Sequence, residues 1–357
     1  MTVTLVEGFD HISTIQQKNW LHSFGGMGDD YSAPATGRHG GQSWNMTGQS
    51  GGIIGAMTIG SYFTKMWPAT TTEAILGVAI YRIAGFGPGG NQAMSLSLVN
   101  AAGTAVASLK WDTLQRPFIY SPGFATSSPP ANFIHQDGTW NYYEIRIKIN
   151  GASGECELRM NGASVADIPT TAMNFGTAAL GGIQFYVGAS NGAPVGFYAD
   201  DIYCVDCTTG SAPTNTFLGD SRVDTIYPTG AGASTEWDNN GGSNWDRVDD
   251  TVPDGDTTIV ATNVAGEVDL YECSDVTIGS GDVWAVQTNF YAKKQDAGSR
   301  EIAAVIRQGG ANYVGSAKAL SLGSYVQYSQ LWLLDPLGAA WSVTKVNTDQ
   351  FGIKLVT

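Results

Sequence analysis

Along this chain apolar residues recur at every second position between short clusters of Gly, Ser, Asn and Pro, and almost nowhere at the spacing of an amphipathic helix. Side chains alternate across a strand with period two, so segments of this kind bury one face each only by pairing into sheets. The expectation is an all-β protein built as two β-sandwich domains in tandem. No repeat of solenoid or propeller length is present.

The clearest hairpin lies in the first half. Residues 142–149 (YYEIRIKI) and 155–162 (ECELRMNG) flank an NGAS turn, with Tyr143, Ile145, Ile147 and Ile149 on one face and Arg146 and Lys148 on the other. Residues 181–190 and 197–206 read as a second antiparallel pair around NGAPVG, and 74–85 as a further strand. Small and polar residues mark 208–217 as a linker between a first domain, 1–207, and a second, 218–357. The second domain reads as short strands, among them WDRV, TTIVATNV, VDLYECSDV, VWAVQTNFYAKK, REIAAVIRQ, YVQYSQLWLLD and QFGIKLV, with one helical turn expected in SVTKVNTDQFG.

Charged residues are only 14% of the chain, so its surface is built from Ser, Thr, Asn, Gln and Gly, as suits a protein packed in an assembly or exposed outside a cell. The net charge of −14, with no basic patch, argues against nucleic acid as a partner. No apolar stretch is long enough to insert in a membrane, and MTVTLVEGFDHIS lacks the basic start and apolar run of a signal peptide, so synthesis in the cytoplasm is expected. Of the four cysteines only Cys204 and Cys207 are close, on opposite faces of one strand, so these, Cys156 and Cys273 read as structural thiols, with oxidation after lysis as the alternative.

The segment NTFLGDSRVDTIYPTGAGASTEW, followed by NWDRVDD, PDGDTTIV, NFYAKKQDAG and QFGIKLV, resembles a family of virion proteins of tailed bacteriophages and prophages. EGFDHIST and TGRHGGQ also fit that family's first domain, and FYADDIYCVD resembles the last strand of a laminin-G or concanavalin-like jelly roll, so the resemblance extends over nearly the whole chain. It implies a place in a particle more than a chemistry: a tail, neck or fibre component, with a capsid decoration protein or a receptor-binding lectin for a bacterial surface glycan as alternatives. The implied partners are other virion proteins and further copies of the chain in a symmetric oligomer.

Catalytic signatures are sparse. The histidines His11, His22, His39 and His135 all fall in the first domain and none lies in HExxH; GxSxG and phosphate-loop patterns are absent. The ExDxxE-like pair of lectin-fold glycosidases is missing too, so no enzyme and no required cofactor are expected. His39 reads as a loop residue bonded to backbone. Jelly-roll domains of this kind often hold a structural calcium between first and last strands, which singles out Glu7 with Asp200 or Asp201; the alternative is an Asp pair satisfied by backbone amides. DTVPDGDTT reads as a turn. Trp284 and Trp332 fit core patterns, whereas Trp67 and Trp111 are less regularly placed and are candidates for glycan stacking or subunit packing.

Overall fold

The computed structural model describes residues 2–11, 21–23, 35–48, 60–82, 94–112, 114–122, 132–165, 172–188, 195–208 and 216–357. The chain is all-β, and its contacts divide it into one unit of Met1–Phe9 with Trp20–Val223 and another of Asp10–Asn19 with Asp224–Thr357. The division falls between Val223 and Asp224, later than the expected start at 218, and it assigns His11 to the second unit.

The first unit contains β1 (Thr2–Glu7), β2 (Leu21–Ser23), β3 (Ala35–Thr36), β4 (Gln42–Gly48), β5 (Gly60–Thr71), β6 (Glu73–Arg82) and β7 (Met94–Asn100). It continues with β8 (Ala105–Trp111), β9 (Pro117–Tyr120), β10 (Trp140–Lys148), β11 (Glu155–Met160), β12 (Ala163–Ser164), β13 (Leu180–Gly188) and β14 (Val195–Asp206). One sheet runs β12-β11-β10-β6-β14-β4-β3 with β1 against β14, and the other β2-β5-β13-β7-β8-β9. Their inner faces meet through aromatic contacts: Trp44 on β4 meets Phe185 on β13 edge to face at 5.1 Å, and Trp111 on β8 bonds Tyr143 on β10.

The β10–β11 hairpin has the expected register, Lys148 opposite Glu155, with Tyr143, Ile145 and Ile147 buried inward. First and last strands pair as expected, Glu7 opposite Ile202. The second expected hairpin does not form. β13 pairs with β5 and β7, whereas β14 pairs with β6, β4 and β1, so the two strands lie in different sheets. Local alternation cannot distinguish a hairpin from a connection between facing sheets, because both bury alternate residues.

The second unit contains β15 (Pro228–Thr235), β16 (Asp238–Asn239), β17 (Val260–Ala261), β18 (Val268–Cys273), β19 (Asp282–Val283), β20 (Val286–Ala292) and β21 (Glu301–Gln308). Then follow β22 (Ala311–Val314), β23 (Lys318–Ala319), β24 (Val326–Trp332), β25 (Trp341–Ser342), α1 (Val343–Thr348) and β26 (Gln350–Leu355). A sheet of order β15-β18-β26-β21-β22, with β23 on β21, is accompanied by the two-stranded ribbons β16–β17, β19–β25 and β20–β24. Ile306, Trp341, Val346 and Phe351 form a core on one sheet face, and Val268, Leu270 and Val305 cluster on the other. The expected helical turn is α1, capped by Ser342 Oγ accepting from the Lys345 amide. WDRV is not a strand: Trp245–Arg247 form a short 3-10 turn, and of TTIVATNV only Val260–Ala261 pairs.

Candidate functional site

The acids singled out in the sequence lie on β1 and β14. A register shift in β14 between Asp200 and Tyr203, with Asp201 at φ 51°, breaks strict alternation, and both aspartates are buried. Asp200 accepts the Arg38 amide on Oδ2 and the Asp201 amide on Oδ1, each at 2.8 Å. Asp201 accepts the Val223 amide at 2.8 Å on Oδ1, while its Oδ2 faces Arg38 Nη1 at 3.4 Å and His39 Nε2 at 3.6 Å. Burial raises the Asp201 carboxyl to about 6 against the pull of the Val223 amide and Arg38. Glu7, also buried, accepts the Phe9 amide at 2.8 Å, closing a local turn in which Phe9 has φ 60°.

This donor set does not fit a calcium site. Calcium needs carboxylate and carbonyl oxygens converging on one point, whereas the oxygens just named point at N–H groups or a guanidinium. Among the described residues no group of three His, Cys, Asp or Glu is placed to hold a metal ion. His39, a residue of the loop before β4, faces the Asp201 carboxylate.

The same region carries residues that sequence reading assigned to the linker and second domain. Residues 217–223 lie as a strap on the outward face of the first sheet. Phe217 packs under the Arg159 guanidinium, 4.0 Å from ring centre to Cζ. The Leu218 amide donates to Tyr203 Oη at 3.2 Å, and the Gly219 amide to Glu144 Oε1 at 2.8 Å. Tyr203 Oη donates to that same Glu144 oxygen at 2.5 Å, and its ring lies over Gly77, where a Cβ would stand 2.0 Å from Cε1. Tyr142 Oη donates to the Asp201 carbonyl at 3.2 Å. The signal available in the sequence was the outward-facing Tyr142 and Glu144, polar on a strand yet flanked by apolar neighbours.

The tryptophan candidates resolve differently. Trp111 is not exposed: it is 1% accessible, donates through Nε1 to Tyr143 Oη at 3.2 Å, and packs edge-on against His135 and Tyr143. It stands at an inward position of β8, and its indole N–H finds a buried acceptor, so glycan stacking and subunit packing are both ruled out for it. Trp67 lies on β5, with its side chain outside the described residues. Around Trp111, His135 is fully buried and stacks on Tyr143 with Nδ1 2.6 Å from its hydroxyl. Burial, helped by the nearby Arg82 guanidinium, lowers His135 to about 3, so the imidazole is neutral. Arg82 in turn pairs with Asp137 at 3.4 Å. This is a core polar cluster that sequence reading missed.

In the second unit a buried aspartate anchors the segment around Asn244. Asn244 donates through Nδ2 to the Trp237 carbonyl and to buried Asp269, both at 2.8 Å, while Tyr271 donates to the same Asp269 oxygen. Thr258 closes the DTVPDGDTT turn on Asp250 and Asp254, as expected. Trp332 packs on the core, but Trp284 is 38% exposed, because it lies between β19 and β20 rather than within a paired strand. All four cysteines are free thiols. Among the described residues no helix is long and apolar enough to cross a membrane.

No family profile matches the chain, and no curated protein matches it in sequence. Solved structures with similar folds include the cellulose-induced protein Cip1, at 15% identity and TM-score 0.38 over 55% of this chain and 95% of that one. An endo-1,3-β-glucanase from Streptomyces sioyaensis is similar at 12% and 0.38, over 57% and 95%. The binding domain of Paraclostridial Mosquitocidal Protein 1 gives 12% and 0.41, over 66% and 58%. Likenesses this distant carry no inference about activity.

Proposed function

We propose that this chain is a non-enzymatic structural protein of a tailed-phage virion, a tail, neck or fibre component acting in assembly and attachment. The observation that carries the reading is the use made of the buried acids of the first unit. Glu7, Glu144, Asp200 and Asp201 accept from backbone amides, a tyrosine hydroxyl and Arg38 of the same unit, so they fasten strands and strap. A general acid or nucleophile needs a carboxylate open to a substrate. The charge-poor surface suits packing against other subunits, and the sequence resemblance supplies the particle.

Cryo-electron microscopy of intact particles tests this. Density for the two units on the neck or tail supports the proposal; density over the capsid lattice makes the protein a decoration subunit instead. Absence of the chain from purified particles, or hydrolysis of a host glycan by the isolated protein, overturns it.

A further inference from the structure

We infer that Arg38 takes the place of a structural calcium ion in the first unit and that its guanidinium locks the strap, residues 217–223, onto the outward face of the sheet. In a calcium-holding sandwich the ion ties carboxylates from separate segments together. Here one residue does that work, through its backbone amide and its guanidinium. The Arg38 amide binds Asp200, Nη1 faces Asp201 and the Ser221 carbonyl at 3.4 Å, and Nη2 pairs with Asp220. The guanidinium also lies 5.1 Å from the centre of the Tyr142 ring, whose hydroxyl holds the Asp201 carbonyl. A planar fork with several donors suits a pair of carboxylates on different segments better than a point charge does.

The TGRHGGQ loop is shaped to present this residue. Its ends close through the Gly37 amide to the Gly41 carbonyl at 2.8 Å, a Cβ on Gly37 would stand 2.8 Å from the Gln42 carbonyl oxygen, and Gly40 has φ 99°. The strap ends at Val223, whose amide caps Asp201 and whose side chain lies against Gly8 beyond β1. Arg38 therefore joins its own loop, the bulge of β14 and the strap, with the Arg222 guanidinium a further positive group near Asp201 and the His39 ring beside it.

The experiment uses the full-length protein. Metal content after dialysis against calcium buffer, melting curves in excess calcium and in excess EDTA, and hydrogen exchange are measured for wild type, Arg38→Gln and Asp220→Asn. The expected result is no stoichiometric calcium and superimposed wild-type melting curves. In Arg38→Gln the Gly219 and Val223 amides should exchange at least about tenfold faster while β10 amides are unchanged, with a smaller effect in the same direction for Asp220→Asn. Asp220 is half exposed, so its variant keeps the test open if Arg38→Gln does not fold. Bound calcium, a melting temperature lowered by EDTA, or unaltered strap exchange in Asp220→Asn would each overturn the inference.

Discussion

Protonation of His135 should make the first unit sensitive to mild acid. The imidazole is fully buried and lowered to about 3, against an ordinary value of 6.5, because burial disfavours the cation and Arg82 repels it. The unfolded chain binds the proton first, so this group's stability is present in full above pH 6.5 and is lost progressively as pH falls towards 3. A shift of that size corresponds to about 5 kcal/mol when complete, and at pH 5 about 2 kcal/mol is already lost. The assay is hydrogen exchange of β10 amides around Tyr143, which reports the first unit alone, between pH 5 and 8 in wild type and His135→Gln. After correction for intrinsic exchange, the wild type should lose roughly thirtyfold more protection than the variant over that range. A wild-type-to-variant difference independent of pH, or a His135 resonance that titrates near 6.5, would refute the reasoning.

Three further outcomes follow from the packing. Gly77→Ala places a methyl inside the Tyr203 ring and should destabilise the first unit by about 2–4 kcal/mol, read as loss of soluble yield or a lower melting temperature; an unchanged melt contradicts the placement of that ring. Asn244→Ala removes the donor joining Asp269 to the Trp237 carbonyl and should cost about 1–3 kcal/mol, with faster exchange in residues 237–247 and little change in the first unit. The thiols Cys156, Cys204 and Cys273 are pushed up to about 12 and Cys207 to about 11 by burial, so a thiol reagent at pH 8 should label native protein slowly and all four cysteines on denaturation. Rapid labelling of native protein would place at least one of them in a more open setting.

Much of the scaffold was legible along the chain, because strand alternation and turn chemistry are local. The hairpin of β10 and β11, the pairing of first and last strands, and the helical turn at α1 all follow from neighbours within a few residues or from a common sandwich order. Which sheet a strand joins is not local, and so residues 181–190 and 197–206 read as a hairpin although they lie in facing sheets. The same limit governed the candidate residues. Trp111 and His135 look free in sequence, since what buries them comes from β10 and from each other across the sandwich. Glu7, Asp200 and Asp201 were visible as candidate calcium ligands, with parity allowing one of the two aspartates to face Glu7, whereas the bulge in β14 leaves both aspartates buried. The period-two pattern, the low charge and the identity of the acids can be read directly from the chain. Their partners depend on the fold, because the Arg38 guanidinium and the strap amides reach those carboxylates from segments separated in the chain, and a carboxylate's role is set by which donors stand within hydrogen-bonding distance.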